Sequence, residues 1–180
     1  DLKYIDSNGD GKIDPGSGTL KDHGDLKIIG NTTPRYSFGL NLHAGYKGFE
    51  VSALFQGVMK RDFPMAASTY LFSGDSNFFK EHLDYYNVYN PGAYLPRLTK
   101  PDSPEYNANV GYNTSRYLLN AAYMRLKNLM ISYNFQPKLV KKMGLENSKV
   151  YFTCDNLFTI DNLQAVFDPE TLNQVYTWAG

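Results

Sequence analysis

Apolar and polar residues alternate with a period of two along four stretches of the chain. The alternation is unbroken over residues 36–46, restarts at Phe49, and returns in residues 122–135 and 148–158. Successive side chains of a β-strand point to opposite faces of a sheet, so each stretch predicts a strand with one apolar face. Lys47-Gly48 is a tight turn signal and predicts that the first two strands form a hairpin. A soluble sheet would show the same alternation, so the pattern alone does not choose between a core and a lipid face.

The connections between these strands divide the chain into five segments. Residues 1–35 are rich in Gly, Asp and Pro and predict a loop, whereas residues 36–60 form the hairpin. Residues 61–121 predict a second loop, which is longer than compact soluble domains normally contain. Residues 122–158 hold a second pair of strands with a short connection, and residues 159–180 predict a third loop.

Short turns that alternate with long loops are typical of outer-membrane β-barrels. The long connections then lie outside the cell, so residues 1–35, 61–121 and 159–180 are predicted to be extracellular. The predicted fold is all-β, with antiparallel strands that belong to a large transmembrane barrel. Four strands cannot close a barrel by themselves, and open sheet edges are not tolerated in lipid.

Period-two alternation also predicts which side chains share a face. A shift of one residue would exchange the two faces, so the assignment is specific. The predicted lipid-facing residues are Leu40, Leu42, Phe55, Ile131, Tyr133 and Phe152. The predicted lumen-facing residues are Asn41, Gln56, Ser132 and Thr153.

Composition narrows the possible functions. The 180 residues include 18 basic and 18 acidic side chains, and this neutral balance argues against nucleic acid as a partner. No run approaches the roughly 18 apolar residues that a membrane-spanning helix needs. Cys154 is the single cysteine, so an internal disulfide is excluded. The sequence contains no nucleophile motif, phosphate loop or pair of carboxylates with helical spacing, so we expect no enzymatic activity.

Several phrases in the chain resemble the C-terminal region of one transporter family and occur in that family's order. The most distinctive is Tyr123-Met124-Arg125-Leu126-Lys127-Asn128, which is similar to the "YLRLKN" signature of SusC/RagA-type TonB-dependent transporters. Any single phrase could arise by chance, whereas the ordered set makes coincidence improbable. The matching phrases occupy residues 6–14, 27–36, 46–49 with 55–57, 119–128, 150–152 with 155–158, and 167–170.

The resemblance implies a location and partners as well as a fold. It implies the C-terminal part of a plugged barrel in the outer membrane of a Gram-negative, Bacteroidetes-like bacterium. Such a transporter imports glycans or peptides together with a SusD-like surface lipoprotein and is energised by the TonB complex. We expect the plug and the TonB-contacting segment upstream of Asp1 and the final strand downstream of Gly180. The alternative is a secreted, calcium-stabilised β-sandwich that binds glycans.

A calcium-loop-like motif lies near the start of the sequence. Asp6, Asn8, Asp10 and Asp14, with the backbone carbonyl of Lys12, supply oxygen atoms at the spacing of an EF-hand loop. Ser17 stands where that loop has a bidentate Glu, and Asp22 or Asp25 could return to fill the gap. Two interpretations stay open: a structural calcium site, or a metal-free turn whose side chains bond their own backbone.

The long loop is rich in aromatic residues. Flat rings beside Asn and Asp suit sugars or peptides, but the same rings could pack the loop onto itself or onto a partner lipoprotein. No ligand-binding residue is assigned on this basis. The rings are Tyr70, Phe72, Phe78, Phe79, Tyr85, Tyr86, Tyr89, Tyr94, Tyr106, Tyr112 and Tyr117.

Overall fold

The computed structural model describes residues 2–65, 80–100, 103–110, 114–163 and 167–172. The chain forms two compact units. Residues 1–30 and 64–118 make up the first, here called the loop unit, and residues 31–63 and 119–180 make up the second, the sheet unit.

Antiparallel strands dominate the described residues. The strands are β1 (Ser37–Tyr46), β2 (Phe49–Val58), β3 (Asp62–Pro64), β4 (Leu118–Asn120), β5 (Tyr123–Asn134) and β6 (Lys149–Asp161). Four of them form one sheet in the order β1-β2-β5-β6, and β3 pairs with β4. Short α-helices occupy Pro104–Val110 and Pro137–Lys142, and 3₁₀ turns occupy Lys80–Leu83 and Ser115–Tyr117.

The hairpin between β1 and β2 is closed by two residues with positive φ. Lys47 has φ of 48° and Gly48 has φ of 91°. Positive φ at both central residues matches the right-handed twist of the flanking strands, which is why such turns close two-residue hairpins. The turn pairs Tyr46 with Phe49 and so sets the register of the whole hairpin.

Cross-strand register gives the sheet one apolar and one polar face. Directly opposed residues share a face, so each row of partners across the four strands belongs to one face. Apolar rows are Leu42-Ala53-Leu129-Cys154, Ala44-Val51-Ile131-Phe152 and Tyr46-Phe49-Tyr133-Val150. Polar-face rows include Asn41-Leu54-Asn128-Asp155, His43-Ser52-Met130-Thr153 and Gly45-Glu50-Ser132-Tyr151.

A β-bulge at Lys127 changes the alternation within β5. Leu54 and Phe55 are consecutive in β2, but their partners in β5 are Asn128 and Leu126. Lys127 is therefore an extra residue, and it shifts every earlier side chain of β5 to the opposite face. On the other side of β5 the register also shifts, near Asn156, which has φ of 52°.

The apolar face of the sheet is largely exposed. On this face Leu42 is 49% exposed and Phe152 is 63% exposed, whereas on the polar face Ser132 is 2% exposed and Tyr151 is 66% exposed. A soluble sheet buries its apolar face and leaves its polar face in water. Among the described residues, the apolar face thus presents a large hydrophobic surface that no other element covers.

Two expectations about segment boundaries differ from the structure. β6 continues to Asp161, so residues 159–161 of the predicted third loop belong to a strand. The segment 61–121, predicted as a loop, contains regular structure: β3, β4 and the helix Pro104–Val110. Short strands and single helical turns carry too little periodicity to be recognised in an irregular sequence. No described helix is both long enough and apolar enough to cross a membrane.

Candidate functional site

An ion pair joins two non-adjacent strands on the polar face, near the hairpin turn. Lys149 Nζ lies 2.9 Å from Glu50 Oε2, and the Ser132 hydroxyl, on the strand between them, lies 3.3 Å from the same oxygen. Glu50 and Ser132 are register partners, so the alternation of β2 and β5 places both side chains on this face. Both charged side chains are more than a third exposed, so the pair contributes little stability in water.

A second cluster of charges lies at the opposite end of the polar face, where β5 begins. Arg125 Nη2 contacts Asp168 Oδ1 at 2.9 Å, and Nη1 contacts Glu170 Oε2 at 2.7 Å. Arg125 Nε donates to the Thr159 hydroxyl at 2.6 Å, and Lys127 Nζ lies 2.9 Å from Glu170 Oε2. All three guanidinium nitrogens are engaged, which compensates for the burial of Arg125, only 8% exposed.

The turn that carries the two carboxylates is stabilised internally. Asp168 Oδ1 accepts the backbone N–H of Glu170 at 2.9 Å, and the Asp168 carbonyl accepts the N–H of Thr171 at 3.1 Å. The bond from the Glu170 N–H, followed by the contact with Arg125, lowers the pKa of Asp168 below its usual value. Asp168 is therefore charged at neutral pH and available to Arg125.

In the loop unit, the predicted calcium ligands accept bonds from nearby backbone N–H groups. Asp6 accepts from Gly9 and Gly11 at 2.6 and 2.9 Å. Asn8 and Asp10 each accept from the residue two positions later, and Asp14 does the same. The bonds of Asn8, Asp10 and Asp14 are those of Asx turns, the geometry expected of the metal-free interpretation.

The Asp25 side chain forms hydrogen bonds with this motif, whereas that of Asp22 bonds to Ser17 instead. Asp25 Oδ1 accepts the N–H groups of Ser7 and Asn8, and Oδ2 accepts that of Asp14 at 3.0 Å. These donors, led by Ser7, lower the pKa of Asp25. Asp22 instead accepts the N–H of Ser17 at 2.9 Å. Among the described residues, no three His, Cys, Asp or Glu side chains gather closely enough to hold a metal ion.

Some of the loop aromatics pack within the loop unit. Tyr94 and Tyr117 meet edge to face with ring centroids 5.5 Å apart, and Arg116 lies over Tyr94 at 5.6 Å. Tyr117 is 6% exposed, and burial raises its pKa. Tyr89 is 94% exposed and thus accessible to a ligand or partner. Tyr70, Phe72, Phe78, Phe79 and Tyr112 lie outside the described residues.

A cleft of about 400 Å³ opens beside these packed rings. Its wall combines Tyr86, Tyr94 and Tyr117 with the cationic side chains Lys3 and Arg116. Arg116 donates hydrogen bonds to the carbonyls of Ala93 and Tyr94 at 2.8 and 3.0 Å, so it stabilises the backbone of the cleft wall.

Sequence reasoning did not identify the Arg125 cluster as a unit. Both halves lie in phrases that resemble the transporter family, residues 119–128 and 167–170, but strand alternation alone gave Arg125 no partner. The available signal was charge: two cations in one phrase and two carboxylates in the other.

The chain is similar in sequence to TonB-dependent receptors. TonB-dependent receptor P3 of Formosa agariphila is 29% identical over 167 residues, which cover 93% of this chain and 15% of the relative. TonB-dependent receptor P26 of the same organism is 27% identical over 173 residues, covering 95% of this chain and 16% of the relative. This chain thus spans less than a fifth of the length of these curated relatives. No protein-family model matches it.

Solved structures of the RagAB peptide importer share its fold. The "open-open" state superposes with a TM-score of 0.58 and 25% identity, covering 80% of this chain and 15% of that chain. The "closed-closed" state gives a TM-score of 0.59 at 23% identity, a likeness of fold, over 89% of this chain and 18% of that one. In sequence and in fold, the chain corresponds to part of the β-barrel of a SusC/RagA-type TonB-dependent transporter, as the ordered phrases predict.

Proposed function

We propose that this chain forms part of a TonB-dependent outer-membrane transporter that imports glycans or peptides with a SusD-like surface lipoprotein. The observation that carries the proposal is the exposed apolar face of the sheet, with the charged side chains on the other face. An apolar surface of this kind normally marks an interaction with a membrane or another protein. Lipid is the occupant that a barrel wall requires.

Aromatic side chains mark one border of the apolar face. Tyr46, Phe49 and Tyr133 form the row next to the hairpin turn, and the rings of Phe49 and Tyr133 are 4.5 Å apart. Barrels carry aromatic girdles at both membrane interfaces, because these rings favour the boundary between lipid and water. The row therefore supports placing the Lys47-Gly48 turn at a membrane surface, and the shortness of the turn favours the periplasmic one.

The secreted β-sandwich is less well supported. In a sandwich a second sheet packs against the apolar face at about 10 Å. Among the residues that the structure describes, no such sheet covers that face of the β1-β2-β5-β6 sheet.

The substrate class and the partners rest on the relatives. The solved neighbours are named peptide importers, which supports a peptide, and the family resemblance supports either a peptide or a glycan. The exposed Tyr89 and Val88 give the loop unit an apolar surface that suits a lipoprotein or a ligand. Energy coupling through the TonB complex would require parts of the full protein beyond this chain.

The full-length protein can test this proposal in its native host. We expect it in the outer-membrane fraction, as a heat-modifiable barrel, and we expect a surface lipoprotein to copurify with it. Deletion of the gene should abolish growth on either oligopeptides or a polysaccharide, which would identify the substrate class. Recovery of the protein from the culture medium as a soluble species would contradict the proposal and favour the sandwich.

We also propose that Asp6, Asn8, Asp10 and Asp14, with the Lys12 carbonyl, bind a structural calcium ion. The Asx bonds do not exclude it, because a carboxylate has about four lone-pair sites and each backbone N–H uses one. Each of the two oxygens of Asp6 accepts a single N–H in the structure, which leaves further acceptor capacity. Asp25 accepts N–H groups from Ser7 and Asp14, near the two ends of the motif, and so holds those ends near each other.

Replacing Asp10 should uncouple the N-terminal loop from calcium. In the unmodified protein, chelation should increase proteolysis near Gly16-Ser17-Gly18, an exposed stretch. In the Asp10→Ala variant, cleavage should be fast and insensitive to chelator, while the barrel remains heat-modifiable. Asp10→Asn is the matched control, because it retains an acceptor for the Lys12 N–H, 2.8 Å away, but has lost the charge. Identical cleavage of the unmodified protein with calcium and with chelator would leave the metal-free turn as the explanation.

A further inference from the structure

Residues 167–172, here called the clasp, contact the rest of the sheet unit at three successive points. Phe167 packs edge-on against Phe63, with ring centroids 5.3 Å apart. Asp168 and Glu170 bond to Arg125, and the Leu172 carbonyl accepts a hydrogen bond from Arg61 Nη2. The Leu172 side chain is 8% exposed, so the clasp covers apolar as well as charged surface.

The bulge at Lys127 makes this attachment possible. Counting by two from Leu129 would place Lys127 and Arg125 on the apolar face, among the predicted lipid-facing side chains. The extra residue instead moves Arg125 into the polar-face row of Gln56 and Thr159. Bulges commonly re-aim a side chain in this way.

The charges of the clasp match those of its anchor. Arg125 and Lys127 supply two positive charges, and Asp168 and Glu170 supply two negative charges, at contact distances of 2.7–2.9 Å. Arg125 is nearly buried, with 10% of its side chain exposed, so removing its partners would leave an uncompensated charge. A loop that merely rested on the surface would not require a buried cation.

We propose that the clasp is a strap folded over the polar face and held there by Arg125, so that it lies inside the barrel mouth and narrows the passage. Its location in the lumen rests on the proposed function, because the polar face is the lumen face only if the apolar face meets lipid. The strap lies near the start of β5, where the chain enters the barrel from the long loop 61–121. Loss of the Arg125 contacts would remove the charged attachment of the clasp and leave those to Phe63 and Arg61.

Accessibility of residue 172 in the full-length protein tests the strap. Leu172→Cys is introduced into a Cys154→Ala background, and labelling by a water-soluble maleimide is quantified at that residue by mass spectrometry. Arg125→Gln, which removes the charge while keeping a polar side chain, should accelerate labelling by about tenfold or more.

Lys149→Gln is the matched control. It breaks a contact of 2.9 Å on the same face, between Lys149 and Glu50, far from the clasp. It should leave the labelling rate at residue 172 unchanged. If Arg125→Gln fails to fold, Glu170→Gln removes one of the two clasp carboxylates, which lies 2.7 Å from Arg125 and 2.9 Å from Lys127, and should also accelerate labelling.

Unchanged labelling in a folded, heat-modifiable barrel that carries Arg125→Gln or Glu170→Gln would overturn the strap. That result would not contradict the proposed transporter function, because membrane location and barrel folding are measured separately from labelling. Recovery of the protein outside the membrane would instead contradict the proposed function.

Discussion

Replacing Leu42 with Arg should destabilise the assembled barrel by about 2–4 kcal/mol, the cost of a charge on the lipid face near the bilayer midplane. Leu42 lies in the apolar row of Ala53, Leu129 and Cys154, four residues along β1 from the aromatic border at Tyr46. It is 49% exposed in this chain, so the substitution disturbs little internal packing. The expected loss therefore comes from burying the guanidinium in lipid.

Asn41→Arg is the matched control for this effect. Asn41 is the preceding residue, also exposed, and it belongs to the polar face opposite Leu54. Arg at this position meets the predicted lumen and should change stability by no more than about 0.5 kcal/mol. Urea unfolding in lipid vesicles, followed by the heat-modifiable band, measures both variants. Equal losses for the two would contradict the assignment of the faces.

The alternation of apolar and polar residues predicted the four long strands because each strand has two faces in different surroundings. Ile131 and Ser132 are neighbours in sequence, and the first is 41% exposed whereas the second is 2% exposed. Hydropathy alone would have placed them the other way round in a soluble protein. The transporter-like phrases supplied the reason to assign the apolar face to lipid.

The bulge and the clasp could not be predicted from alternation. The single extra residue at Lys127 interrupts the period of two and leaves only residues 123–126 of β5 before it, too few to establish the change of phase. The partners of Arg125 lie 43 and 45 positions later in the chain, beyond any local pattern. Asp25 is a possible addition to the N-terminal motif, but the sequence does not show that its carboxylate accepts hydrogen bonds from backbone N–H groups.

Produced without the rest of its barrel, the chain of residues 1–180 should aggregate in water. Its apolar face exposes Leu40, Val150 and Phe152 among others, and β1 and β6 stand at the edges of the described sheet. Exposed apolar surface and unpaired edges both promote association between copies. Sedimentation should place the chain in the pellet in aqueous buffer and partly in the supernatant in mild detergent.

The two causes of aggregation can be separated, because detergent covers the apolar face but does not pair the edges. A variant that carries Leu40→Thr, Leu42→Thr and Phe152→Thr keeps both edges and reduces only the apolar surface. If that surface is the main cause, this variant should be more soluble in buffer than a matched variant with Asn41→Thr and Gln56→Thr on the polar face. A monodisperse monomer of the unmodified chain that melts cooperatively without detergent would contradict a lipid-facing wall, since such a monomer would have to cover its apolar face by itself.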